Sequence, residues 1–256
     1  MARDRGELRV VPDAAPLFHA AATEFVSAAA ASVETKGSFS VALSGGSTPR
    51  GMFALLAGDE FRGQVRWDRV FFFWGDERHV PPDHADSNFR MAREALLSHL
   101  SLREDQVFRI HGENPDPAAA AYEYEKTTRQ FFGLAEGQFP RFDLVLLGMG
   151  PDGHTASLFP GTKALIEQTR VVVSNWVGKF NTHRITMTAP AINSAARVLF
   201  LIGGEDKAPA LKAVLEGPLE PSQLPAQLIQ PRDGSLLWLC DRAAAQLLQT
   251  KKDASK

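Results

Sequence analysis

Two side chains, Asp152 and His154, flank Gly153 in a glycine-rich turn. The turn follows Phe142-Asp-Leu-Val-Leu-Leu147, in which the apolar run Leu144 to Leu147 reads as a buried strand. Histidine is the side chain best matched to proton transfer near neutral pH, and a carboxylate two residues away can orient it. The chemistry suggested is acid–base work at a strand end. A capping or structural histidine is the plainer alternative. The same turn, Gly148-Met-Gly-Pro-Asp-Gly153, also matches the dinucleotide fingerprint. That fingerprint needs a long helix to start at the turn, and Pro151 and Pro160 leave little room for one. The next apolar run, Val171 to Val173, ends in Ser174-Asn175 and lacks the acid that would hold a ribose, so nicotinamide binding is not expected.

A second loop, Leu43-Ser-Gly-Gly-Ser-Thr-Pro49, joins a strand to a helix. Gly45 and Gly46 let backbone N–H groups converge, Ser44, Ser47 and Thr48 add hydroxyls, and the helix dipole favours an anion. A phosphate cradle is expected, although a simple helix cap would use some of the same residues. No Gly-Lys-Ser/Thr follows, and Ala42 stands where a hydrolase elbow needs glycine. A third loop runs from Gly75-Asp-Glu-Arg78 to Ser87-Asn88 after the aromatic run Val70 to Trp74. It reads equally as a surface turn or a site in which Arg78 pairs with a phosphate or carboxylate. His79 and His84 lack further ligands, so no metal site is expected. Arg184 opens a strand, and Lys207 follows Gly203-Gly-Glu-Asp206 at a strand end. Both are candidate cations for an anionic substrate.

These loops need a scaffold. The expected strands are Phe39–Leu43, Val70–Trp74, a short piece at Val107–Ile110, Phe142–Leu147, Val171–Ser174, Arg184–Thr188, Val198–Ile202 and Leu236–Cys240. The expected helices are Pro16–Thr35, Pro49–Ala57, Ser87–Leu100, Pro117–Phe132, Pro190–Ala196, Lys207–Leu215 and Asp241–Leu248. The wholly apolar character of Val70–Trp74 suggests a central strand. Apolar strands alternating with helices imply an α/β fold with a mostly parallel sheet covered on both faces, and ligands outside the carboxyl ends of its strands. With 256 residues and no linker, one domain over residues 1–256 is expected, with a frayed tail at about 250–256.

The formal charge of −2 and the lack of a basic run argue against nucleic acid. The N-terminus, Met1 to Arg9, shows no signal peptide, and no apolar run approaches the ~18 residues of a membrane span. The single cysteine, Cys240, lies in an apolar run and reads as a buried thiol suited to a reducing, cytoplasmic setting.

Taken in order, Leu-Ser-Gly-Gly-Ser-Thr-Pro49, Gly-Asp-Glu-Arg-His-Val-Pro81 with Ser-Asn88, Gly-Met-Gly-Pro-Asp-Gly-His-Thr-Ala-Ser-Leu-Phe-Pro160 and Arg-Ile-Thr-Met-Thr188 resemble the 6-phosphogluconolactonase family, from about Phe18 to Leu248. The resemblance implies a three-layer Rossmann-like fold shared with glucosamine-6-phosphate deaminases and ribose-5-phosphate isomerases, and no cofactor. It implies hydrolysis of 6-phospho-D-glucono-1,5-lactone in the oxidative pentose phosphate pathway, with His154, Asp152 and Arg78 in catalysis. Ser44, Gly45, Gly46, Ser47, Thr48, Asp76, Gly150, Arg184 and Lys207 would then hold the substrate. Phe159 occupies the position of a glutamate in the deaminase motif, and Arg78 that of a tyrosine; both departures favour the lactonase. A deaminase or isomerase on the same scaffold, or a phosphosugar sensor, are the alternatives. The expected partner is a small phosphorylated sugar lactone, and the expected assembly a monomer or weak homodimer.

Overall fold

The computed structural model describes residues 5–249. In chain order the elements are β1 (Glu7–Val11), α1 (Ala14–Lys36), β2 (Phe39–Leu43), α2 (Ser47–Ala57), α3 (Asp59–Arg62), β3 (Val70–Trp74), β4 (Asp76–Arg78), α4 (Asn88–Ala95), α5 (Pro117–Phe132), β5 (Leu144–Leu147), β6 (Val172–Val177), β7 (Thr182–Met187), α6 (Ala189–Ile192), β8 (Arg197–Ile202), α7 (Ala208–Glu216) and β9 (Ser235–Asp241). Short 3₁₀ turns join several of them. Six strands form one parallel sheet in the order β1-β9-β8-β5-β2-β3.

Local chemistry explains the longest helix. The Asp13 carboxylate accepts from Ala15 N at 3.1 Å, and Gly37 ends α1 with φ of 77°. Between these caps Leu17, Ala21, Phe25 and Ala29 fall four residues apart and are all buried. Full burial of a side chain such as Phe25 contributes roughly 1.5–3 kcal/mol. β3 shows how the sheet is covered on both faces. Phe71 and Phe73 meet Phe131 of α5, with centroids 5.0 Å apart in each case. Phe72 points the other way, to Trp67, which in turn meets Phe25 of α1. This alternation is the period of a strand buried on both sides.

The chain leaves β2 outward to β3, whereas β5 leads in the opposite direction to β8. A crevice therefore opens between the carboxyl ends of β2 and β5, as expected at a switch point in a parallel sheet. A second, antiparallel sheet of order β4-β7-β6 stands at this end. Gly75 makes the transfer: its N–H donates to Leu43 O at 2.9 Å, and its carbonyl accepts from Met187 N at 2.8 Å.

Several expectations are corrected. β3 is not central but lies at the sheet edge. Its outer side is covered by the 107–110 segment, where Phe108 N donates to Phe72 O at 2.8 Å and the Phe108 ring stacks on Phe73 at 4.6 Å. That segment makes only an isolated bridge, Phe72 with Val107, and is not a strand. The runs at 171–174 and 184–188 belong to the antiparallel β6–β7 hairpin, longer than expected and outside the parallel sheet. The helix expected from Ser87 stops at Ala95, and that from Pro190 is a single turn, Ala189–Ile192. Asp241 is the last residue of β9, and residues 242–247 form turns, not a helix. Asp241 Oδ1 accepts from Ala244 N at 2.7 Å, as at a helix N-cap, and Oδ2 accepts from Gly204 N at 2.9 Å, tying this end to the β8–α7 loop. The tail from 250, and the first four residues of the N-terminal reading, lie outside the described residues. Cys240 is buried, as its apolar setting suggests.

Candidate active site

A cleft of about 300 Å³ lies at the carboxyl end of the parallel sheet, within the size range of small-metabolite pockets. Ser44, Gly45, Gly46, Ser47, Thr48, Asp76, Arg78, Gly150, His154 and Lys207 all line it. The structure thus brings the loops after β2, β3, β5 and β8 into one wall. Asp152 stands behind His154 and is not part of that wall; Arg184 is not part of it either.

The β2–α2 loop presents an uncapped helix start to the cleft. Gly46 precedes the helix with φ of 107°, and no side chain caps the first turn. The hydroxyls therefore do not serve the helix, and its first N–H groups carry the positive end of the dipole into the cleft. Gly45 is required by contact: a Cβ there would lie 1.8 Å from Asn88 Oδ1. Lys207 approaches from the β8–α7 loop, its ammonium 2.8 Å from Asp206 Oδ2.

The β3–α4 loop is pinned by a carboxylate that the sequence reading did not single out. Glu77, 2% exposed, accepts from Arg78 N at 2.8 Å, Asn88 N at 2.7 Å and Phe89 N at 2.8 Å. It also accepts from Ser87 Oγ at 3.1 Å. Burial pushes its carboxyl above the usual range, opposed by the three backbone donors. Glu77→Ala should leave those buried donors unsatisfied and cost about 3 kcal/mol or more. Urea unfolding would detect this; a loss below ~1 kcal/mol would mean that water replaces the carboxylate.

Arg78 pairs across strands with Arg184. Like charges opposite each other are unfavourable, and neither guanidinium is directed at an acid. Arg78 donates to the carbonyl of Asp86, and Arg184 lies over the Phe180 ring at 5.4 Å. Burial, and then the charge of Arg78, lower the Arg184 pKa below its ordinary value. Of the two, Arg78 reaches the cleft, where its guanidinium suits an anionic ligand. Asp76 is buried, with Oδ2 accepting from Ser157 Oγ at 2.6 Å and Oδ1 from Asn88 Nδ2 at 3.3 Å.

His154 Nδ1 lies 2.5 Å from Asp152 Oδ1, and the other carboxylate oxygen meets Lys179 Nζ at 3.1 Å. Burial acts against ionisation of Asp152, but the hydrogen bond and charge of His154, aided by Lys179, prevail and bring its pKa down to about 2. The carboxylate is thus anionic at neutral pH, and it selects Nδ1 as the protonated nitrogen. Nε2 is left without a protein partner among the described residues. Phe159 stacks on the imidazole, with centroids 4.0 Å apart. The turn stores strain next to this pair: Ala156 has φ of 47°, a conformation that side chains with a Cβ rarely adopt.

Comparison with known proteins fits this geometry. A family model described as glucosamine-6-phosphate isomerases/6-phosphogluconolactonase matches residues 12–238. The chain belongs to this family. A 6-phosphogluconolactonase of Nostoc sp. is 40% identical over 237 residues, 93% of this chain and 96% of the relative. One from Synechocystis sp. is 42% identical over 217 residues, 85% and 88% of the two chains. The solved 6-phosphogluconolactonase from Trypanosoma cruzi has a TM-score of 0.83 at 30% identity, covering 96% of this chain and 97% of its own.

Contacts that fasten one sheet to the other also run through the loop that carries His154. The 152–160 loop is tied to the antiparallel sheet by residues that sequence reasoning missed. Thr186 Oγ1 accepts from Ser157 N at 3.2 Å, and Asn175 Nδ2 donates to Ser157 O at 2.9 Å. Asn88 and Ser157 lie inside motifs already noted, so their positions carried a signal. Lys179 carried none, because it reaches Asp152 from a hairpin turn 27 residues away.

Proposed function

We propose that this chain hydrolyses 6-phospho-D-glucono-1,5-lactone to 6-phosphogluconate, with His154 as general base, as a step of the oxidative pentose phosphate pathway. The observation that carries the reading is the Asp152–His154 pair facing the uncapped N-terminus of α2 across one cleft. The names of the relatives support the substrate. In this mechanism neutral His154 takes a proton at Nε2 from a water that attacks the lactone carbonyl. Asp152 holds Nδ1–H and stabilises the imidazolium. The tetrahedral oxyanion collapses, the bond to the ring oxygen breaks, and the imidazolium returns its proton to the departing alkoxide. No covalent intermediate is needed, since a lactone is already activated and water suffices as nucleophile.

The phosphate sits on Gly45, Gly46, Ser47 and Thr48 with Lys207, and Ser44 and Gly150 shape the floor. Arg78 meets the developing oxyanion or another substrate oxygen, and Arg184 supports the field behind it. Asp76 acts by holding Ser157 and Asn88 in place. Binding the remote phosphate fixes the lactone in a reactive pose. The chain works as one domain: β1, near its start, pairs with β9, near its end. No described helix is long and apolar enough to cross a membrane. The proposed setting is the cytoplasm, and the proposed assembly a monomer or weak homodimer.

The test is a rapid coupled assay on freshly generated lactone, with spontaneous opening subtracted. Turnover of the lactone and no ammonia from glucosamine 6-phosphate is the expected pair of results; the reverse pair would assign the deaminase reaction. Phosphate-ligand binding without either activity would indicate a sensor. Lys207→Ala should raise KM for the lactone by roughly tenfold, with a smaller change in kcat. An unchanged KM would remove Lys207 from the phosphate site.

A further inference from the structure

The β6–β7 hairpin turns through Gly178–Phe180, with Asn181 at φ of 49°. This turn contacts the His154 pair by two routes. Lys179 Nζ lies 3.1 Å from Asp152 Oδ2, while Asp152 Oδ1 holds His154 Nδ1 at 2.5 Å. The adjacent Phe180 meets Phe159 edge-on at 5.7 Å, and Phe159 in turn stacks on the imidazole. One carboxylate is therefore shared between a permanent cation and a histidine, and the ring is backed from the same hairpin.

We infer that Lys179 is a positioning residue that acts on His154 through Asp152, sharing the carboxylate so that it orients the imidazole without holding a second proton on it. The inference rests on the reading of His154 as the base. An unshared carboxylate beside a histidine favours the imidazolium, which cannot accept a proton from water. An ammonium on the far oxygen offsets that pull and leaves the Nδ1 hydrogen bond intact. The charged groups around His154 are Asp152 on its own loop, Lys179 from the hairpin, Asp76 and Arg78 from the second sheet, and Lys207 after β8. Of the three cations, Lys179 is the one bonded to Asp152. Its side chain is 58% exposed, so the effect is moderated by solvent.

The test compares the full chain with its Lys179→Met and Lys179→Arg variants. Two quantities are read: kcat for the lactone from about pH 5 to pH 9, and the His154 imidazole titration by NMR in the ligand-free protein. In Lys179→Met both the acid limb and the titration should move to higher pH by roughly half to one unit, a loss of roughly 3- to 10-fold in rate on the acid side. Lys179→Arg should restore both. A fall in kcat that is uniform across pH with an unmoved titration, or no change in either, overturns the inference. If the wild type does not hydrolyse the lactone, the functional reading fails, while the NMR titration still decides whether Lys179 governs His154.

Discussion

Replacing His154 with alanine is expected to lower kcat for 6-phospho-D-glucono-1,5-lactone by about 10²–10⁴-fold, the usual contribution of a positioned general base. The fold should survive, because the imidazole is partly exposed on a turn whose course is set by other contacts. Gly150 N donates to His154 O at 2.9 Å, and Thr155 Oγ1 donates to Gly148 O at 2.8 Å; neither bond uses the ring. Circular dichroism and the coupled assay together decide the outcome. Turnover near the wild-type rate in a folded variant would remove His154 as the base. The acid limb of the wild-type rate is informative too. Against burial, the hydrogen bond and charge of His154, with Lys179, hold the Asp152 carboxyl down to about 2, below the range of mild acidity.

Gly150→Ala is the second large effect, and it depends on shape alone. Gly150 is not in the left-handed region, so its backbone conformation suits alanine. The obstacle is space. A Cβ would lie 2.1 Å from both Cε1 and Nδ1 of His154 and 2.8 Å from Asp152 Oδ1. The ring and the carboxylate must move, and a displacement of about 1 Å at a reacting group can cost 10²-fold in rate. We expect kcat to fall by about that factor, with KM changing less because the proposed phosphate contacts lie on other loops. A variant that retained kcat to within about threefold would show that the base need not occupy this position.

Much of the scaffold was legible in the chain. Apolar runs such as Phe39–Leu43, Val70–Trp74 and Val198–Ile202 have the composition of doubly covered strands, and all three form with those bounds or one residue more. Their parallel order followed from the intervening helices. The role of β3 did not follow, because burial reports coverage and not position. An edge strand covered by Phe108 and α5 looks the same in sequence as a central one. The short strands β1 and β4 escaped notice because Glu7, Arg9, Asp76, Glu77 and Arg78 mask the apolar signal. Asp241 caps the turn that follows it, Oδ1 accepting from Ala244 N as at a helix start, so the local signal is the same whether or not a helix continues.

The sequence by itself determined the closeness of Asp152 to His154 and the glycine–hydroxyl loop before α2. Asp152 and His154 are two residues apart, and the glycines and hydroxyls from Ser44 to Thr48 are contiguous, so local geometry makes both features readable. Only the tertiary structure placed these loops in one cleft, set Arg78 opposite Arg184, and brought Lys179 to Asp152. The reason is separation: a contact across 27 residues depends on how a hairpin of the second sheet packs, and no local periodicity encodes that.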